Sequence, residues 1–329
     1  MAASTASADP TLPKKSAEQL LTAVASARVD GLSGTVSETA NLGLPSMPSN
    51  QRTDSSDFSS LLTGTHTLKV WSSGQDKSRV SLLGSYGESD LIRNGKQAWL
   101  WSSTDKKAVH TSYTGKGVKQ PKSQLPSTPQ EAAQQALDAI GPTTATSVGR
   151  NATVAGRSAY ELVLTPKDDR SLVNEVSIAI DAKTSVPLQV QVRADGQSDP
   201  ALSVGFTKID FSRPSAKTFQ FTPPAGATVE RHTVTGAKKK AEPKQWDGQV
   251  IGKGWTSVAV SSVDKITKGR SAQQNSQYGQ LLQSLPKVSG SWGSGRLLSG
   301  SLFSAVITND GRVAVGAVRP ALLYSALQK

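Results

Sequence analysis

The stretch IDAKTSVPLQVQV, residues 180–192, decides how the rest of this chain is read. Ile180 closes one apolar run, Asp181 to Ser185 is mostly polar, and Pro187 restarts an alternating run through Val190 and Val192. Apolar and polar residues alternating with period two mark a strand with two different faces, and a short polar segment between two such runs marks a turn. Upstream, Tyr160, Leu162 and Leu164 share one face, as do Val176, Ile178 and Ile180. Downstream, GFTKIDFSRP (205–214) and FQFTPPAGATV (219–229) continue the pattern. The expected strands are Asn151–Val154, Ser158–Thr165, Val173–Asp181, Val186–Arg193, Leu202–Phe211 and Phe219–Phe221.

Working toward the N-terminus, Thr128-Pro129-Gln130-Glu131 is a helix start, with a hydroxyl cap, Pro at the first position and Glu completing a capping box. Ala133, Leu137 and Ile140 form its apolar stripe, and Gly141-Pro142 ends it. Asn94-Gly95 is the strongest hairpin signal; a two-residue turn there pairs Arg93 with Lys96 and Asp90 with Trp99. Ile92, Trp99 and Trp101 then share a face, with Leu91, Ala98 and Leu100 on the other. A hairpin apolar on both faces is covered on both sides, and the two Trp suit either a packed core or the wall of a ligand cavity. Strands Thr65–Ser72, Lys77–Leu83 and Glu88–Arg93 lead into this hairpin. Earlier still, Ser16 and Gln19 make a capping box for a helix with Leu20, Val24 and Ala27 on one face, followed by a strand Leu32–Glu38. Asn41–Ser60, with Pro45 and Pro48, reads as a solvated loop or a flap, and residues 1–15 as a disordered tail.

The 329 residues exceed one ordinary core and suit two domains. Lys238-Lys239-Lys240-Ala241-Glu242-Pro243-Lys244 has the charge and Pro content of a linker, expected over 231–246. A small α+β unit over 247–329 follows: a strand Thr256–Val260, a helical stretch ending in Leu281, Leu282 and Leu285, a hairpin of Arg296–Thr308 with Arg312–Val318 turned at Asn309-Asp310-Gly311, and a tail helix Pro320–Leu327. Net charge is +12, and residues 237–329 hold thirteen Lys/Arg against four Asp/Glu. Such an excess attracts anionic surfaces. The bases are not interleaved with aromatics in a nucleic-acid module, so an anionic membrane surface or a membrane-protein partner is expected, and no nucleic acid.

The sequence has no catalytic signature. Its three His are isolated, it has no Cys, and no metal-ligand spacing, nucleophile elbow or phosphate loop occurs. A non-enzyme without cofactor or metal is expected. No apolar run reaches the roughly 18–20 residues of a spanning helix. Ala6-Ser7-Ala8 has the small residues found around a signal cleavage point, so Met1 reads as the start of a mature exported chain whose signal segment lay upstream, the alternative being a native cytosolic start with a disordered tail.

The strand series after Ser158, with the helix and sheet before it, resembles the LolA-like lipoprotein-carrier superfamily over residues 16–230. That superfamily also includes actinobacterial lipid-carrying lipoproteins and MucB-type sigma-factor regulators. The resemblance implies an α+β, mainly antiparallel fold: a half-barrel wrapped around an apolar cavity, with the two capped helices as its lid. It implies an extracytoplasmic carrier, secreted or anchored as a lipoprotein, that holds a lipid or the acyl chain of a lipoprotein. Ile92, Trp99, Trp101, Tyr160, Leu162, Leu164, Val176, Ile178 and Ile180 are then the candidate lining. The alternative is an envelope-stress sensor that binds an anti-sigma or signalling partner, a reading to which the second small domain adds weight.

Overall fold

A computed structural model describes residues 10–44, 57–115, 128–138, 140–235, 248–263 and 282–328. Helix α1 (Ala17–Ser26) starts at the expected capping box: Gln19 N donates to Ser16 Oγ at 3.2 Å, and Ser16 N to Gln19 Oε1 at 2.8 Å. Strands β1 (Gly31–Asn41), β2 (Thr63–Ser73), β3 (Lys77–Leu83), β4 (Glu88–Asn94), β5 (Gln97–Ser102) and β6 (Lys107–Thr114) pair in succession. Helix α2 (Pro129–Asp138) begins where Glu131 N donates to Thr128 Oγ1 at 3.2 Å. Then come β7 (Thr144–Val148), β8 (Ala152–Val154), β9 (Arg157–Pro166), β10 (Val173–Asp181), β11 (Pro187–Ala194) and β12 (Pro200–Asp210). Strand β12 closes onto β1, and β13 (Thr228–Thr235) adds to β6, giving a curved sheet with its two ends, β13 and β7, unpaired with each other.

The turn in the opening stretch is built by Asp181. Its carboxylate accepts from Thr184 N at 2.7 Å, Thr184 Oγ1 at 2.8 Å and Lys183 N at 3.1 Å. Arg157 closes the other side with Nε at 2.5 Å and Nη2 at 3.0 Å. A buried carboxylate with this many donors is satisfied where it stands, and it locks the β10–β11 hairpin against β9.

A second, six-stranded sheet has the order β14 (Gln249–Ile251), β15 (Val258–Ser262), β19 (Arg312–Gly316), β18 (Ser304–Thr308), β17 (Gly293–Ser299) and β16 (Lys287–Gly290). Helix α3 (Pro320–Leu327) covers it, with Leu323, Ala326 and Leu327 buried against Val306 and Ala314. The two sheets meet at several places among the described residues, including an Arg319–Asp195 ion pair and a Gln197–Ser301 contact. Ser171 bridges Val318, Trp255 Nε1 donates to Thr144 Oγ1 at 2.8 Å, and Ser301 N donates to the Leu42 carbonyl at 2.7 Å.

Several expectations need correction. The hairpin pairs Asn94 with Gln97, so Asp90 faces Trp101 and Ile92 faces Trp99. Its loop is Gly95-Lys96, with Gly95 at φ +59°, the arrangement of loops with Gly at the first central position. A slip of two residues preserves the faces, so the facial assignment survives the change of register. Phe219 lies in a 3-10 turn (Ala216–Phe219) instead of a strand. Arg231–Thr235, expected in a linker, belong to β13, which runs parallel to β6. The long C-terminal strand expected over Arg296–Thr308 is two strands, β17 and β18. Residues 10–15, expected to be disordered, are placed, and Leu12 packs on the core. The stretch Lys238–Lys244 and the helical stretch through Leu281 lie outside the described residues.

Gly34 is required by a close approach. Strand β12 bulges between Phe206 and Lys208, and a Cβ on Gly34 would come 2.4 Å from the Lys208 carbonyl and 2.8 Å from the Phe206 ring. Gly34→Ala is expected to lower stability in urea denaturation by about 1–3 kcal/mol, the usual cost of overpacking. A change under about 0.5 kcal/mol, the scale of ordinary surface substitutions, would contradict this reading.

Candidate functional site

Directly opposed residues in an antiparallel ladder share a face, so the register divides the sheet into two surfaces. Leu162, Ile178, Val190, Val204 and Glu38 form one cross-strand row. Val36, Leu68 and Leu82 form the next part of that same face. Val70, Val80, Leu91, Leu100 and Val109 carry it to β6. Helices α1 and α2 lie on this face, hereafter the inner face, burying Leu20, Ala132 and Ala133 against Tyr160, Leu162, Leu164, Val176, Ile178 and Ile180. These six candidate residues are therefore brought together, each at most 4% exposed.

Ile92, Trp99 and Trp101 are not with them. They belong to the opposite row, Trp71, Arg79, Ile92, Trp99 and His110, and its neighbours, on the outer face. There the chain returning from β12 covers them. Phe221 stands 5.3 Å from Trp99 and 5.9 Å from Trp101, ring centre to ring centre, and Trp99 stacks on His110 at 4.2 Å. Arg79 binds the buried Asp90 with two hydrogen bonds, at 3.0 and 2.8 Å, and lies over Trp71. Burial, together with Arg231 across the parallel ladder, lowers the His110 pKa. Trp99 thus lies in a packed outer layer, and Trp101 packs on Phe221 there while also bordering the cavity beside Leu100. The expectation that a single cavity holds all nine residues fails because neighbouring positions of a strand point to opposite faces.

Sequence reading missed the part of the inner face that stays open. Over β1 and β2, the 3-10 helix Phe58–Leu62 covers the face, with Leu61 buried against Leu68 and Val70. Over β4 and β5 the cover stops: Leu91 is 38% and Leu100 45% exposed. A cavity of about 270 Å³ lies here, lined by Phe58, Ser89, Leu100, Trp101, Ser102 and Val109 among others, so one of the nine candidates, Trp101, borders it. The signal was present in the hairpin's second apolar face, Leu91 and Leu100.

Glu38 is the one polar interruption of the apolar rows traced from Leu162 to Val109. It is 2% exposed, and Oε2 has no hydrogen-bond partner among the described residues. His66 opposes it on β2, but its ring nitrogens face the Thr63 carbonyl at 2.8 Å and Ser60 Oγ at 3.5 Å. Burial pushes the Glu38 carboxyl up to about 7 from the ordinary 4.5. No group of three or more His, Cys, Asp or Glu able to hold a metal occurs among the described residues, and no described helix is long and apolar enough to cross a membrane.

No protein-family model and no curated protein sequence matches the chain. Solved structures do. The Pseudomonas aeruginosa MucA/MucB complex aligns at 14% identity over 94% of this chain and 96% of that one, with a TM-score of 0.48. A LolA superfamily protein from Nitrosomonas europaea aligns at 12% identity over 63% of this chain and 99% of its own, at 0.24. A putative outer membrane lipoprotein-sorting protein domain from Vibrio parahaemolyticus aligns at 10% identity over 62% and 94%, at 0.25. The chain is similar to LolA-superfamily and MucB structures.

Because the Glu38 carboxyl is held neutral more strongly folded than unfolded, its stability contribution is full below about 4.5 and lost as pH rises to about 7. Urea midpoints are expected to fall between pH 5 and pH 8, and Glu38→Gln is expected to remove that part of the fall. The same pH slope in both proteins would contradict the assignment.

Proposed function

We propose that this chain is an extracytoplasmic binding protein that holds a lipid, or the acyl chain of a lipoprotein, on the open part of the inner face. The observation that carries the reading is a single apolar face, buried under helices at β9–β11, that runs uncovered onto Leu91, Leu100 and Val109. Contiguous exposed apolar surface rimmed by polar groups marks a binding surface more often than chance. Here the polar rim is Asp57, Ser89, Ser102, Asp105 and Lys107. An acyl chain contributes about 0.8 kcal/mol per methylene buried, so ten methylenes supply about 8 kcal/mol gross without any charged anchor. Tyr160, Leu162, Leu164, Val176, Ile178 and Ile180 form the floor under α1 and α2, and their part in this reading is to hold the helices. A longer chain reaches them only if the helices move.

Titration with palmitate and with a triacylated lipopeptide, followed by native mass spectrometry, tests the reading. Leu91→Glu with Leu100→Glu places charge on two exposed positions, so folding is expected to persist and ligand affinity to fall at least about tenfold, since burying an ionised group is strongly unfavourable. Unchanged binding in the double variant, or no binding by the parent protein, would refute it.

A further inference from the structure

Pro10–Lys15 folds back against the Gly149–Asn151 turn between β7 and β8. Asn151 Nδ2 donates to the Pro10 carbonyl at 3.0 Å, and Leu12 packs on the apolar cluster beneath the helices. Between the two segments lies a cavity of about 520 Å³, within the size range of small-molecule sites. Leu12, Val148 and Tyr160 give it an apolar side, and Lys14, Lys15 and Arg150 a cationic one. No carboxylate lines it. Lys15 Nζ stands 4.7 Å above the Tyr160 ring centre, and none of the three cations pairs with a carboxylate among the described residues. The neighbouring acid, Glu161, is next to Tyr160 on β9 and therefore on the other face, held near Gly149.

Three like charges around one concavity repel one another and are relieved by an anion. Arg presents a planar fork that fits phosphate oxygens, and Lys a mobile point charge. We propose that this cavity binds a phosphate-class anion, with Arg150 and Lys14 as its direct ligands and Lys15 completing the rim. Tyr160 belongs both to the cavity wall and to the apolar cluster under α1 and α2. An apolar tail on the anion therefore has a continuous surface to follow. The anion can arrive as a lipid headgroup or as a free phosphate ester. The lipid case rests on the acyl-chain reading above.

The test uses the full chain at low salt with three probes: palmitoyl lysophosphatidic acid, monopalmitoylglycerol with the same chain and no charge, and glycerol 3-phosphate with the same head and no chain. The variants are Lys14→Glu with Arg150→Glu, and the milder Lys14→Gln with Arg150→Gln in case charge reversal impairs folding, which circular dichroism will report. The parent protein is expected to prefer lysophosphatidic acid over monopalmitoylglycerol by roughly tenfold or more, shrinking as salt rises. The variants should lose that preference and keep their affinity for monopalmitoylglycerol. Equal affinity of the parent for both amphiphiles, or a preference that survives in the folded variants, overturns the anion site and leaves the acyl-chain reading standing. Variant-sensitive binding of glycerol 3-phosphate without binding of either amphiphile supports the site as one for free phosphate esters and refutes the acyl-chain reading. Binding of none of the three overturns both.

Discussion

The inner face exists because side-chain parity is kept through every strand pairing from β9 to β6. Each ladder matches residues that point the same way, so Leu162, Ile178, Val190 and Val204 are followed across β1 by Leu68, Leu82 and finally Leu91 and Leu100. Irregularities occur at Thr207 and near Ala201 in β12, near Leu188 in β11 and near Asn174 in β10, and the rows traced above keep their facing. A one-residue slip between β3 and β4 would exchange Leu91 and Leu100 for Ile92 and Trp99. The row would then be broken and Asp90 would face the apolar side. Arg79 and Ser81 hold Asp90 on the outer face and so fix that register from behind.

The same alternation explains which parts of the molecule were legible in its sequence. Strands β9 to β12 and the tail helix α3 are short, strongly patterned and bounded by turn residues, so they appear within one or two residues of their expected limits. The capping box at Ser16 and the hydroxyl cap at Thr128 form because each depends only on residues within one turn. The hairpin at Asn94 was misregistered because Asn-Gly and Gly-Lys both satisfy a two-residue loop, and only long-range pairing decides between them. Strand β13 was missed because its exposed residues Glu230, Arg231 and His232 do not alternate with apolar ones; it is held by its ladder to β6. The candidate site was half legible. Period two groups residues within a strand, but which face of one hairpin joins which face of a distant strand is a property of the assembled sheet. For that reason Trp99 and Trp101 could not be separated from Tyr160 and its neighbours by sequence alone.

Glu38 and the Lys14, Lys15 and Arg150 cluster give the apolar face its polar boundaries. Glu38 sits in the middle of the sheet, where its Oε2 is buried and has no hydrogen-bond partner among the described residues. The three cations sit at the end of β9, where the N-terminal segment closes over the β7–β8 turn. Between these points the surface is apolar and helix-covered, and beyond Glu38, toward β6, it opens. The second sheet touches β7, the β9–β10 connection, the β11–β12 connection and the end of β1, and its described contacts leave the β4–β6 region free of it.

The central claim is that an acyl chain occupies the open inner face at β4–β6. Photo-crosslinking with a fatty acid that carries a terminal diazirine, mapped by peptide mass spectrometry, tests it most directly. The label is expected on peptides of β4, β5 and β6, at Leu91, Leu100 or Val109, and is expected to be lost on competition with palmitate. Labelling confined to the outer face around Trp71 and Trp99, or labelling that palmitate does not displace, would contradict it.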